Sequence, residues 1–152
     1  MAGRSMHRAL SREATLRWNT WAKYQNSALG LMRIVVGFLF FTHGAQKVLG
    51  WFGGFGEAGQ TAELFTRYGA AGVLEAVGGL LIVCGLFTRP VAFVLSGQMA
   101  VAYFWIHVQN GLWPWVNRGE LAVLYCFVFL FLTAAGGGSL SLDSVIAKRR
   151  DV

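Results

Sequence analysis

The chain has 152 residues, 55% of them hydrophobic and only 13% charged, with a mean hydropathy of +0.51. One soluble core of this size cannot hide that much apolar surface, so the composition excludes a soluble globular domain and points to an integral membrane protein. The formal charge of +6 comes mostly from basic residues near the two ends, which suits anionic lipid headgroups better than nucleic acid.

Residues 1–27 carry Arg4, Arg8, Arg12, Arg17 and Lys23 against one acid, Glu13. Leu10, Ala14, Trp18 and Trp21 recur at helical spacing, which predicts a basic amphipathic helix lying on the membrane surface. A disordered basic tail is the alternative for residues 1–12. The first apolar run begins near residue 28 with no small-residue cleavage pattern after it, so it is expected to stay as an anchor rather than leave as a signal peptide.

Four spans are predicted, over about 28–49, 70–88, 90–108 and 119–135. Thr88-Arg89-Pro90 reads as the tight turn between the second and third, and Gly136-Gly137-Gly138 as the stop of the fourth. Beyond it, Ser141 is placed to cap a short amphipathic helix with Leu142, Val145 and Ile146, ending in Lys148-Arg149-Arg150. Cys84 and Cys126 fall inside apolar runs and read as small fillers, with neither a disulfide nor a metal site expected.

The lead, the Arg89 turn and the tail are rich in Lys and Arg, whereas loops 50–69 and 109–118 hold only Arg67 and Arg118. With four spans this sets both termini in the cytoplasm. Trp18, Trp21 and Tyr24 then belong to one interface, and Trp51, Tyr68, Trp105, Trp113 and Trp115 to the other. Loop 50–69 is apolar enough to cap the bundle, with a short helix over Gln60–Tyr68 laying Leu64, Phe65 and Tyr68 on it. The expectation is an all-α, integral membrane four-helix bundle at 28–135, with an amphipathic basic lead at 1–27 and an amphipathic basic tail at 136–152.

The segment RIVVGFLFFTHGAQK, Arg33–Lys47, departs from plain hydrocarbon. His43, Gln46 and Lys47 share one helix face and need partners on other helices, because each is penalised in lipid. At about 1.5 Å per residue His43 lies roughly 9 Å inside the outer end of its span, and Glu75 lies at nearly the same depth in the second. His107 ends the third span and Glu120 begins the fourth on that side. Arg33 sits in the other half and is expected to snorkel to its interface, and Gln98 to bond another helix.

Two carboxylates, two imidazoles and a lysine around a shallow cavity would suit exchange of protons with a quinone headgroup. Equally, Lys47 with Glu75 or Glu120 would serve as an ion pair holding helices in register. Heme between His43 and His107 is the weaker reading, since no attachment motif accompanies them. No metal-ligand spacing, phosphate loop or nucleophile–His–acid pattern is present.

RIVVGFLFFTHGAQKVLGWFGG, GQTAELF, LEAVGGLLIVCGLFTRPVA and ELAVLYCFVFLFLTAAGGGSLSLD together resemble the bacterial DoxX family over about 28–146. The resemblance implies a four-helix inner-membrane protein similar to the DoxD-type subunit of thiosulfate:quinone oxidoreductase. It also implies membrane redox work and a redox partner subunit. The positions it singles out are His43, Gln46, Lys47, Glu75, His107 and Glu120. The expected function is a quinone-linked redox module, with His43 and Glu75 as catalytic proton carriers. Gln46 and Lys47 would orient the headgroup or an anionic substrate, and His107 and Glu120 would line the entry. The competing expectation is a non-catalytic membrane subunit that stabilises or recruits a partner complex. A small-solute transporter fits less well, because no inverted repeat is visible.

Overall fold

The computed structural model describes residues 2–56 and 59–150, with side chains described at 21, 24–56 and 59–150. Regular structure among the described residues is all helical: α1 Ala2–Leu49, α2 Arg67–Cys84, α3 Thr88–Ala102, a π-helical turn Tyr103–His107 and a 3-10 turn Val108–Asn110. The short α4 Pro114–Asn117, then α5 Glu120–Ala135 and α6 Leu142–Arg150, complete the chain. Three stretches are long and apolar enough to cross a membrane: Tyr24–Leu49, Arg67–Cys84 and Thr88–Asn110. The 16 residues of α5 are equally apolar but extend only about 24 Å at 1.5 Å per residue.

α1 is a single helix of 48 residues, uninterrupted where the basic lead meets the apolar run near residue 28. The side chains of Leu10, Ala14 and Trp18 lie outside the described residues, and with them the expected apolar face of the lead. Gly50 at φ 68° ends α1 in the left-handed conformation that glycine adopts without steric cost.

α1 packs chiefly on α2, and α3 on α5, while contact between α2 and α3 is sparse. Glycine sets the first of these distances. A Cβ on Gly44 would fall on the backbone of Glu75 and Ala76, and one on Gly79 would fall 2.6 Å from the Phe41 nitrogen. Small residues let helix backbones approach this closely, which suits association in lipid. The apolar core is Phe40, Ile82, Leu95, Met99, Tyr125, Phe129 and Leu132 with Ala92. Outside it, Val35, Phe38, Val77, Leu80, Phe93, Phe127 and Phe131 are exposed, the apolar coat expected against bilayer lipid.

Three expectations are corrected. No helix forms over Gln60–Thr66. Thr66 instead caps α2, its Oγ1 accepting from the Gly69 nitrogen at 3.3 Å. The loop is pinned by Ala62, whose N–H donates to the Lys47 carbonyl at 2.7 Å, and Leu64 and Phe65 point away, Phe65 with 106% exposure. Thr88, Arg89 and Pro90 are not the α2–α3 turn but the first turn of α3, where proline is tolerated; the turn is Gly85–Phe87.

Arg33 does not snorkel. It is fully buried, with Nε donating to the Gly137 carbonyl at 3.0 Å and Nη2 to Leu140 at 2.6 Å. Nη1 donates to the carbonyls of Ile82 and Val83, the latter at 2.6 Å. These are end groups of α2 and of the glycine connection; the Ile82 carbonyl also accepts from the Gly85 nitrogen at 3.1 Å, and a guanidinium supplies donors enough for all of them. Asp143 completes the fastening. Its carboxylate accepts from the Phe87 and Thr88 nitrogens at 2.8 Å each, and its own N–H donates to the Gly85 carbonyl at 2.9 Å. Ser141 does cap α6, accepting from the Ser144 nitrogen at 3.2 Å.

Candidate functional site

Near the Leu49 end of α1 the helices enclose a cavity of about 460 Å³. His43 and Lys47 come to it from α1, Glu75 from α2, Gln98 from α3, His107 from the π turn and Tyr125 from α5. Most of the remaining wall is apolar, including Phe40, Leu74, Met99 and Ile106, and Phe55 of the 50–66 loop reaches over it.

Glu75 is the centre of the polar network and is only 3% exposed. Lys47 Nζ lies 2.6 Å from both of its oxygens. Gln98 Nε2 donates to Glu75 Oε1 at 3.2 Å and to the Ala71 carbonyl at 3.3 Å. Gln98 Oε1 is buried with no partner among the described residues. Turning the amide over would set that oxygen against two acceptors, so the observed orientation is the favoured one. The Lys47–Glu75 pair exists at this length because Gly44, one turn below Lys47, lets α1 approach the backbone of α2 beside Glu75.

His43 stands edge-on to Tyr125, ring centroids 6.1 Å apart, and makes no hydrogen bond among the described residues. His107 Nδ1 is 3.2 Å from the Asn117 carbonyl; a carbonyl only accepts, so this nitrogen carries the proton and Nε2 is left as an acceptor. Three consecutive residues of the π turn, Trp105, Ile106 and His107, line the cavity. Isolated π turns recur at functional sites for their ability to re-aim side chains. Asn117 ties the neighbouring loop, donating to the Gly111 carbonyl at 2.6 Å and accepting from the Gly119 nitrogen at 2.8 Å.

Of the six residues singled out in the sequence, His43, Lys47, Glu75 and His107 line the cavity. Gln46 and Glu120 are not part of its lining. Gln46 donates to the Phe52 carbonyl at 3.0 Å, holding the start of the loop, and Glu120 is exposed in the first turn of α5. Tyr125 escaped the sequence reading. Its only signal is the stripe Ala122, Tyr125, Phe129, Leu132 at helical spacing, and α5 is too uniformly apolar for that stripe to stand out. Among the described residues no three His, Cys, Asp or Glu side chains gather as a metal set.

The sequence matches the DoxX family over residues 28–108, the stretch that supplies every cavity residue named above except Tyr125. A protein of Haemophilus influenzae is 41% identical over 138 residues, covering 86% of this chain and 99% of its own. The chain belongs to the DoxX family. Other relatives are CatD of Bacillus subtilis, provisionally named an oxidoreductase, and the inner membrane protein YphA of Escherichia coli. CatD is 29% identical over 78% of this chain and 86% of its own; YphA is 27% identical over 85% and 97%. No solved structure matches the chain significantly. Like its family, this DoxX protein is a multi-pass protein of the bacterial inner membrane.

Proposed function

We propose that this DoxX protein is a quinone-linked redox module, in which the cavity holds a quinone headgroup. In this reading α5 crosses as a fourth short span, both termini are cytoplasmic, and the cavity lies in the periplasmic half of a four-helix bundle. The basic lead rests against anionic headgroups. What carries the reading is the Lys47–Glu75–Gln98 network around a buried carboxylate, set in a mostly apolar wall with two histidines beside it and Arg67 also lining the cavity. A cavity of about 460 Å³ with few convergent polar groups is what a small aromatic ring requires. The oxidoreductase name of CatD supports the redox half of the reading.

A bound quinone would supply the two-electron chemistry, and the chain would supply orientation and protons. Lys47 is placed to donate to a headgroup carbonyl while keeping one Glu75 oxygen. Glu75 and His43 act as the proton-holding pair. His43 is suited to this because its ring nitrogens are not committed elsewhere among the described residues. His107 Nε2 would accept from the O–H of the reduced headgroup, the quinol, at the other side of the ring.

The test is the quinone content of protein purified in native lipid, repeated for His43→Ala and Glu75→Gln. Retained helicity with loss of quinone is the expected result for both, with thermal stability also kept by His43→Ala, which removes no hydrogen bond from the fold, and lowered in Glu75→Gln by loss of the ion pair. Wild-type protein devoid of quinone, or a His43→Ala variant that keeps its full complement, overturns the proposal. In that case Lys47–Glu75 is a structural tie, and a non-catalytic membrane subunit becomes the better description.

A further inference from the structure

The weak contact between α2 and α3 leaves a second feature that the headgroup reading does not use. On the lipid side of these helices runs a groove of about 360 Å³. It is lined by Val73, Leu74, Val77 and Gly78 of α2, and by Val91 and Val94 of α3 among others. It extends from Leu74 to Leu81, about 10 Å at 1.5 Å per residue, towards the Gly85–Phe87 turn. Its walls are apolar throughout. Gly78 contributes to its lining with no side chain at all, and it packs so tightly on Leu95 that a Cβ there would lie 2.7 Å from Leu95 Cδ2.

What separates this groove from the rest of the lipid-facing surface is where it ends. Leu74 lines the groove and the cavity alike. At that level the cavity wall is also thin. Ala70 and Leu74 on α2, and Val101 and Trp105 opposite, line the cavity yet are exposed on the outer surface. Accessible lining on both flanks of the α2–α3 seam is what a cavity open towards the apolar layer would show, and the groove begins at that level. The groove's apolar wall offers nothing to a charged or hydrophilic group, so whatever head the cavity with its Lys47 and Arg67 takes, the groove itself accepts only an apolar chain.

We propose that the ligand of this site is a membrane-borne amphiphile with a single apolar tail, its head in the cavity and its tail lying in the α2–α3 groove. This rests on the quinone reading and narrows it to long-tailed quinones that enter from the bilayer.

The experiment compares a tailless methyl-substituted benzoquinone with the same ring carrying a long isoprenoid tail, both bound to the full chain in lipid nanodiscs. Affinities are expressed per lipid, so that partitioning into the bilayer cancels. The tailed form is expected to bind about fivefold tighter, the net advantage of packing against a fixed groove over the fluid acyl chains the tail leaves. Val94→Trp, which fills the groove from an exposed position, should abolish that gain and leave the tailless ring unaffected. Val77→Trp is the second variant should the first fail to fold, and Leu124→Trp, exposed on α5 outside groove and cavity, should change nothing. Equal affinity for both forms in the unaltered protein overturns the tail groove and leaves the headgroup reading standing. So does a gain that survives Val94→Trp. Binding of neither form overturns both.

Discussion

Lys47 and Glu75 allow the energetic role of the site to be separated from its chemistry. Lys47 Nζ is 2.6 Å from both carboxylate oxygens, and the two side chains are 20% and 4% exposed. Removing one member of such a pair strands the other. Lys47→Met leaves Glu75 buried with only the Gln98 amide to stabilise its charge, and should cost about 3–5 kcal/mol. Glu75→Leu should cost less, about 2 kcal/mol, because the lysine stem can swing its ammonium towards water. The double variant Lys47→Met/Glu75→Leu removes both charges and replaces them with apolar volume, so it should return to within about 1 kcal/mol of the unaltered protein. The two changes are thus coupled by well over about 2 kcal/mol. Equilibrium unfolding in bicelles, followed by helical circular dichroism, measures all four corners of the cycle. Single variants within about 0.5 kcal/mol of the unaltered protein, or simple additivity, would refute the view that this is a desolvated pair.

Two further outcomes follow from the packing. Gly44→Val drives a branched side chain into the Glu75–Ala76 backbone and should destabilise by about 2–3 kcal/mol. The same unfolding assay should then find Lys47→Met nearly silent in that background, because the helices can no longer bring the pair together. Arg33→Met deprives the carbonyls of Gly137, Val83 and Leu140 of their side-chain donor and leaves Ile82 with the Gly85 nitrogen alone, and should cost at least about 3 kcal/mol. Arg33→Lys should recover little, since an ammonium lacks the guanidinium fork. Faster amide exchange over residues 136–146 is the local readout.

The membrane class, the apolar helices and the grouping of His43, Lys47, Glu75 and His107 could be read from the sequence because depth along a helix is simple arithmetic. Rotation about the helix is not. Tyr125 faces the cavity from a helix whose whole circumference is apolar, so hydropathy assigns it no face. Arg33 looked like a cation bound for the interface, because nothing local reveals that the chain returns a hundred residues later to offer it carbonyls. The 50–66 loop misled for a related reason. Its helix-like spacing was overruled by Thr66, a better cap for α2, and by Ala62 pairing with the end of α1.

The π turn at Tyr103–His107 has a consequence that point substitutions would never expose. Such a turn holds one more residue than an α-helical turn spanning the same height. Deleting a single residue there would let the helix regularise, an easy change for the backbone. Because the π turn spends one extra residue on the same rise and rotation, the segment beyond the deletion would keep its height and direction. What would be lost is the surplus residue, and with it the run of three consecutive side chains, Trp105 to His107, that the π turn presents to the cavity. In this segment, chain length is a determinant of the site in its own right.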